Sequence, residues 1–254
     1  ENLNQLDWMG AETKIEARNK LAKFTPKIGY TEKFETYDSM TVSNSAFSNI
    51  MSAGDWSYQD MISKLGQPID KTEWFMLPQT VNAYYSPNRN EIVFPAAILQ
   101  PPFFNINADP AVNYGAIGGV IGHEMGHGFD DQGSKSDGDG VLRNWWTSAD
   151  EAAFVAKTDA LVGQYDAFCP LDNGQACVNG RLGLGENTGD LGGLSMAYKA
   201  YKMSLDTNSD GTISVSEQAP IIDGYTGDQR FFMAWAQVWR TIYREAALRQ
   251  QLIR

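Results

Sequence analysis

The alternation of apolar and polar positions divides the chain into segments of different period. Between residues 5 and 24, Trp8, Ala11, Ile15 and Ala22 recur at helical spacing and Pro26 follows, which predicts an amphipathic helix. Residues 43 to 66 carry a weaker pattern of the same kind. The stretch "NAYYSPNRNEIVFPAAIL", residues 82 to 99, reads instead as two short strands, "NAYY" and "EIVF", around a Ser-Pro-Asn turn. Helical periodicity returns over 111 to 129, 148 to 165 and 186 to 204. A last helix is expected over 228 to 254, with Phe231, Trp235, Val238, Trp239 and Ile242 on one side. Neither Gly nor Pro closes it and "RQQLIR" is still helix-forming, so the chain reads as cut at this end. No internal repeat or low-complexity tract is visible.

Composition narrows the class. With 254 residues, 43% hydrophobic and 12% aromatic, the chain can bury a full core as one large domain or two smaller ones. Twenty basic against thirty-one acidic residues give a formal charge of -11. Nucleic acids and anionic membranes call for Lys/Arg patches, so neither is an expected partner. No apolar run approaches the roughly eighteen residues of a membrane span. The chain opens on "ENLNQLDW" without methionine, so an upstream piece is expected. Cys169 and Cys177 bracket the turn-rich loop "CPLDNGQAC", whose ends can meet at bonding distance. A disulfide is expected, and with it a secreted or periplasmic location; two free thiols are the alternative.

The candidate chemistry lies in "AIGGVIGHEMGHGFDDQG", residues 116 to 133, which contains both histidines of the chain, His123 and His127. On a helix, side chains four apart leave the same face, so the two imidazoles aim at one point, as the first two ligands of a tetrahedral zinc site do. Glu124 projects beside them, placed to touch a metal-bound water. A catalytic zinc takes three protein ligands and keeps one open position. With no third histidine and the cysteines elsewhere, the third ligand must be a carboxylate, and Glu186 in "GENTGDLGGL" is the best candidate. Asp190, four residues on, shares its face and can accept the ring N–H of a zinc-bound histidine; Asp130 is a second candidate for that task. The competing reading is two solvated helix histidines beside a surface glutamate. Against it stand Gly115, Gly118, Gly119, Gly122 and Gly126, each costing about 1 kcal/mol relative to Ala inside a helix. Such a run makes sense where neighbouring backbone approaches closely.

With these residues in place, the chain closely resembles the catalytic domain of the neprilysin family of zinc metallopeptidases. The resemblance runs along nearly all of the sequence and rests on four motifs in order: "NAYYSPNRNEIVFPAAILQPPFF", "GGVIGHEMGHGFDDQG", "GENTGDLGGL" and "FFMAWAQVW". It implies an α+β, thermolysin-like fold, mostly helical with a small mixed sheet, in a single domain over 1 to 254 that is truncated at both ends. It implies a metalloendopeptidase with one catalytic Zn2+ on His123, His127 and Glu186. Glu124 would be general base and then proton donor. Asp130 and Asp190 would orient the two histidines, which places Asp190 beside Glu124 in the catalytic set. Asn82 and Ala83 would hydrogen-bond a peptide substrate along a strand edge. Ile98, Phe103, Val120, Val238 and Trp239 would line the pocket for the residue after the scissile bond, which implies cleavage on the amino side of hydrophobic residues.

The departures from the family pattern carry their own expectations. Thr188 and Gly189 replace a larger aliphatic and an Ala, which should loosen helix packing without touching the ligands. Gly119 stands where a larger apolar residue can line the pocket, so a wider pocket is expected. Arg240 replaces a cysteine, so one family disulfide is absent. The family's downstream histidine and arginine, which steady the oxyanion and the substrate backbone, lie beyond this chain, as does its large helical capping domain. A further segment or chain is therefore an expected partner, and this chain alone should be a weak peptidase or none.

A second metal is expected in "DTNSDGTISVSE", residues 206 to 217, which fits an EF-hand calcium loop. Asp206, Asn208 and Asp210 hold positions 1, 3 and 5, Gly211 makes the turn, Thr212 offers its carbonyl, Ser214 stands at position 9 and Glu217 supplies the final carboxylate. A helix enters through "AYKAYKMSL", while Pro220 truncates any exit helix. The family has a short loop here, so this would be an insertion with a structural Ca2+; an ordinary Asp/Asn/Gly turn is the alternative. The run "SDGDG", 136 to 140, reads as a solvated turn. Two other functions stay open at this level: a zinc-containing but inactive peptide-binding or regulatory fragment, and a calcium-stabilised extracellular module with an accidental zinc motif.

Overall fold

In a computed structural model, which describes residues 2–252, the N-terminal helix is split. A single turn, α1 (Asn2–Gln5), is followed by a break and then by α2 (Ala11–Ala22). The expected helix from residue 5 starts late because Gly10 is extended and tied to a distant segment. Its N–H donates to Asp150 Oδ1 at 3.0 Å, and Thr13 Oγ1 donates to Asp150 Oδ2 at 2.5 Å. The buried face of α2 is Thr13, Ala17 and Lys20, whereas Ile15 is 49% exposed, so the apolar stripe read from the sequence is not the packed one.

A strand that the periodicity did not reveal, β1 (Thr25–Gly29), follows α2. Helix α3 (Ala46–Ser63) is capped by Ser45, whose side chain accepts from the Ser48 N–H, and has no buried residue. The expected hairpin forms as β2 (Tyr84–Ser86) and β3 (Glu91–Pro95), with Asn82 and Ala83 just ahead of the first strand. Strand order is β1-β3-β2: β3 pairs in parallel with β1 and antiparallel with β2, which leaves β2 as an edge. All five residues of β3 are buried, and Ile92 and Phe94 join Ala83, Ile98, Ile117 and Val120 in one apolar cluster. Pro26 is tolerated in β1 because that strand is the other edge.

The helix expected over 111 to 129 is a continuous run in three parts: α4 (Pro110–Asn113), a π-helical turn (Tyr114–Gly118) and α5 (Gly119–His127). The π turn coincides with a main-chain bond that leaves the helix, Ile117 N–H donating to the Phe103 carbonyl at 3.0 Å. Helix α6 (Ser148–Asp166) begins at Thr147, whose hydroxyl accepts from the Asp150 N–H, and α7 (Leu184–Leu205) runs beyond the predicted span by one or two residues at each end. Helix α8 (Gly227–Val238) opens with a reciprocal Thr226/Gln229 cap and is followed by α9 (Glu245–Gln251). The single helix expected from 228 to 254 is therefore broken at Trp239–Arg244. Trp239 turns its ring edge-on to Phe103, with centroids 6.1 Å apart, and the β-branched pair Thr241–Ile242 is a poor helix former. Ile242, placed on the apolar side in the sequence reading, is 97% exposed. Ile253 and Arg254, the end of the expected helix, lie outside the described residues, as does Glu1.

Two further apolar clusters bind the helices. Ala111, Ala197, Tyr201 and Phe231 join α4, α7 and α8, and Met9, Ala17 and Trp145 hold α2. Cys169 and Cys177 form a disulfide. The 136–140 turn is packed rather than solvated: Ser136 and Asp137 are buried, and Asp137 accepts from the Asp139 and Val141 amides and from Arg143 Nε.

The centre of the fold is the crossing of α5 and α7. A Cβ on Gly122 would overlap the Gly193 carbonyl, and one on Gly193 would overlap the His123 amide, so backbone meets backbone there. One position in α7 fits less well: Thr188 Oγ1 is buried without a hydrogen-bond partner. Thr188→Val should raise unfolding free energy by about 1 kcal/mol, the cost of a buried unpaired hydroxyl. Denaturant titration checks this; an unchanged stability would mean that the hydroxyl is paired in solution.

Candidate metal centre

One turn of α5 carries His123 and His127, whose rings stand nearly perpendicular with centroids 4.4 Å apart. From α7, Glu186 Oε2 lies 3.3 Å from His123 Nε2 and 3.7 Å from His127 Nε2. Among the described residues these three form a cluster able to hold a metal ion, with all ligand atoms within 4.8 Å of one another. The fit to zinc is close, because bonds of about 2.0–2.1 Å to tetrahedral ligands put those ligands about 3.3–3.4 Å apart. The two imidazoles are largely buried, while the Glu186 side chain is 73% exposed, so the cluster opens to solvent on the α7 side.

Each ring is held from behind by a carboxylate. His123 Nδ1 donates to Asp190 Oδ1 at 2.7 Å and His127 Nδ1 donates to Asp130 Oδ2 at 2.8 Å, which leaves both Nε2 atoms facing Glu186. Burial, the largest influence on His123, disfavours its charged form, but the hydrogen bonds to Asp190 and Glu186 outweigh it and push the ring up to about 10. The hydrogen bond to His123 holds Glu186 below the usual carboxylate range, against its partial burial. Asp130 is also lowered: burial opposes ionisation, but His127 and the backbone amides of Gly133 and Gln132 prevail. Glu124 differs. It is 5% exposed, and burial pushes its carboxyl up despite the two adjacent imidazoles and a backbone hydrogen bond from Tyr85.

A cavity of about 290 Å³ adjoins the cluster, and His123, Glu124, Glu186 and Asp190 form its polar wall. Its apolar wall is Ile98, Phe103, Val120 and Trp239, with Asn82 at the rim, so the structure gathers most of the predicted groove residues. Ala83 and Val238 are not in the lining; Ala83 is buried in the apolar cluster under the sheet, and Val238 is half-buried at the end of α8. Val81, which the sequence reading passed over, lines the cavity; it precedes the strand and shows no periodicity.

Two expectations are corrected here. Gly119 does not widen the cavity: Trp235 fills its space, with ring carbons 2.7 Å from where a Cβ would stand. Gly189 does bear on a candidate ligand, because a Cβ there would lie 3.0 Å from His123 Nδ1 and the glycine leaves that space to the ring. In the 206–217 loop the candidate ligands are hydrogen-bonded within the loop itself. Asp206 accepts from the Asp210 and Gly211 amides, Asn208 from the Asp210 amide, and Asp210 from the Thr212 amide and hydroxyl. Glu217 accepts from Thr207, Asn208 and Ser214.

Comparison with known proteins bears directly on this arrangement. Residues 82–254 match the family model described as peptidase family M13. Human endothelin-converting enzyme 1 is 39% identical over 261 residues, which covers 100% of this chain and 33% of that enzyme. Neprilysin-11 of Caenorhabditis elegans is 40% identical over 261 residues, covering 99% and 30%. The crystal structure of Mycobacterium tuberculosis zinc metalloprotease ZMP1 in complex with an inhibitor superposes with a TM-score of 0.91 at 50% identity, over 99% of this chain and 38% of that one. PepO from Lactobacillus rhamnosus superposes with a TM-score of 0.81 at 31% identity, over 99% and 37%. The chain thus spans about a third of the length of the curated relatives it matches. With its paired histidines and facing carboxylate set in that shared fold, the chain belongs to peptidase family M13.

Proposed function

We propose that this chain is the catalytic domain of a zinc-dependent endopeptidase that cleaves peptides on the amino side of hydrophobic residues. The observation that carries the reading is the convergence of His123 Nε2, His127 Nε2 and Glu186 Oε2, each histidine held from behind by its own aspartate. These three residues would hold the ion, which when bound supplies Lewis acidity to a water and to the scissile carbonyl. Glu124 takes the proton from that water and delivers it to the leaving nitrogen. Its burial favours this, because a carboxyl with a raised pKa is a better proton carrier near neutral pH. Asp190 and Asp130 keep the Nδ1 protons in place, so that a ring that gives up a proton to bind the ion gives it up from Nε2. Asn82 and the backbone at Ala83 extend the exposed edge at β2, where a peptide can add as a further strand. The apolar wall of Ile98, Phe103, Val120 and Trp239 suits a hydrophobic side chain.

Three wider assignments belong to the same reading. The length of the relatives supports a further segment that completes the groove, together with a helical capping domain. No helix among the described residues is long and apolar enough to cross a membrane, and the Cys169–Cys177 disulfide supports a secreted or periplasmic setting. The 206–217 loop, in EF-hand order, would take a Ca2+ that pins the link between α7 and α8. Ligation would require Glu217 to release its present amide and hydroxyl partners.

In the full chain, Glu124→Gln should retain zinc and lose peptide hydrolysis by about 100-fold or more. Metal analysis beside a turnover assay checks this, and wild-type turnover would remove Glu124 as the base. Zinc affinity should rise with pH. A His123 ring with a pKa of about 10 is protonated at neutral pH and must give up its proton to bind. Affinity then climbs about tenfold per pH unit for each proton displaced. Calorimetry in buffers of different ionisation enthalpy measures the release, and zero release would contradict it. Calcium should raise the thermal midpoint of the wild type and not that of Glu217→Gln; equal shifts would dismiss the loop as a binding site.

A further inference from the structure

Lys20 is 1% exposed, on the face of α2 that turns toward the segment following the histidine helix. Its Nζ donates to the Gly133 carbonyl at 2.6 Å and to the Ser136 carbonyl at 2.8 Å. Among the described residues, no carboxylate is a hydrogen-bond partner of its Nζ. Asp130 and Asp137 act on it through space, and the Tyr85 and Phe129 rings lie 5.7 and 5.6 Å from the ammonium. Burial lowers the amine to about 8, against the two aspartates. A buried charge of this kind is costly, and an apolar side chain would fill the same space without that penalty.

The route from Lys20 to the metal centre is short. The Gly133 peptide is gripped at both ends: its carbonyl receives Lys20, and its N–H donates to Asp130 Oδ1 at 2.7 Å. Asp130 Oδ1 also accepts from the Gln132 amide at 2.9 Å, while Oδ2 receives His127 Nδ1 at 2.8 Å. His123 has no part in this chain of contacts, because Asp190 of α7 holds it.

We propose that Lys20 is a positioning residue for the metal centre, holding the Gly133 peptide so that Asp130 in turn holds His127. The proposal rests on His127 being a metal ligand, and one imidazole of the pair serves as a control for the other. Lys20→Met removes charge and donors at similar length; Lys20→Gln removes the charge and, one atom shorter, draws its amide donors back from the two carbonyls. In the full chain labelled with 15N at histidine, Lys20→Met should shift or broaden the His127 Nδ1–H signal and leave that of His123 in place. Zinc affinity, from chelator competition, should fall about tenfold, the lower end for a change that disturbs ligand orientation. In an Asp130→Asn background the same substitution should cause no further loss.

A purely structural lysine would disturb both rings alike or neither, and its effect on affinity would persist without the Asp130 carboxylate. Either result overturns the proposal, as does wild-type affinity with an unmoved His127 signal. Should Lys20→Met not fold, the same measurements on Lys20→Gln support or overturn the proposal in the same way. A wild-type protein that binds no zinc would defeat the peptidase reading, while the His127 signal would still decide the role of Lys20.

Discussion

The direct backbone contact between α5 and α7 is the constraint on which the metal centre depends. Gly122 and Gly193 allow two helices to meet without side chains between them, at the residue before His123. From Gly193, Asp190 and Glu186 follow at three and seven positions back, on the face of α7 that looks at α5. A helix pair separated by ordinary side chains sits about 8–10 Å apart between axes, and a crossing without side chains brings the two backbones closer than that. That close crossing sets where Glu186 stands relative to both rings, 3.3 Å from one Nε2 and 3.7 Å from the other.

Around that contact the fold arranges charge in a definite order. Two imidazoles face four carboxylates, with Asp190 and Asp130 behind the rings, Glu186 in front and Glu124 alongside. A divalent cation suits such an excess of negative charge. The carboxylates are kept distinct by their surroundings: Asp130 and Glu186, hydrogen-bonded to the rings, are held ionised, while Glu124, enclosed by the sheet and α5, is pushed the other way. Similar residues acquire different tasks through environment alone.

Much of this was readable in the sequence because it is encoded by short-range spacing. Two histidines four apart, a glutamate and an aspartate four apart, and a run of helix glycines each state a local geometry, and those geometries formed. What escaped reading is set by distant partners. Strand β1 contains a proline and a glycine, and its pairing with β3 lies more than sixty residues away. The start of α2 is decided by Asp150, and its inward face includes Lys20 because two carbonyls more than a hundred residues on receive the ammonium. Periodicity ranks residues by polarity, so it chose Ile15, which is exposed. The last helix broke where Trp239 found Phe103, and Gly119 was misread because Trp235 reaches across from another helix to fill its place.

The bare crossing of α5 and α7 also bears on which ions the protein can accept. Helices in backbone contact cannot close further, so the two imidazoles and the Glu186 carboxylate are presented at a fixed separation. Magnesium and calcium favour six or more oxygen ligands and, for calcium, longer bonds, so a fixed set of two nitrogens and one oxygen serves them poorly. Selection among cations would then follow from the stiffness of a helix junction, and little tuning would be asked of the donor groups themselves.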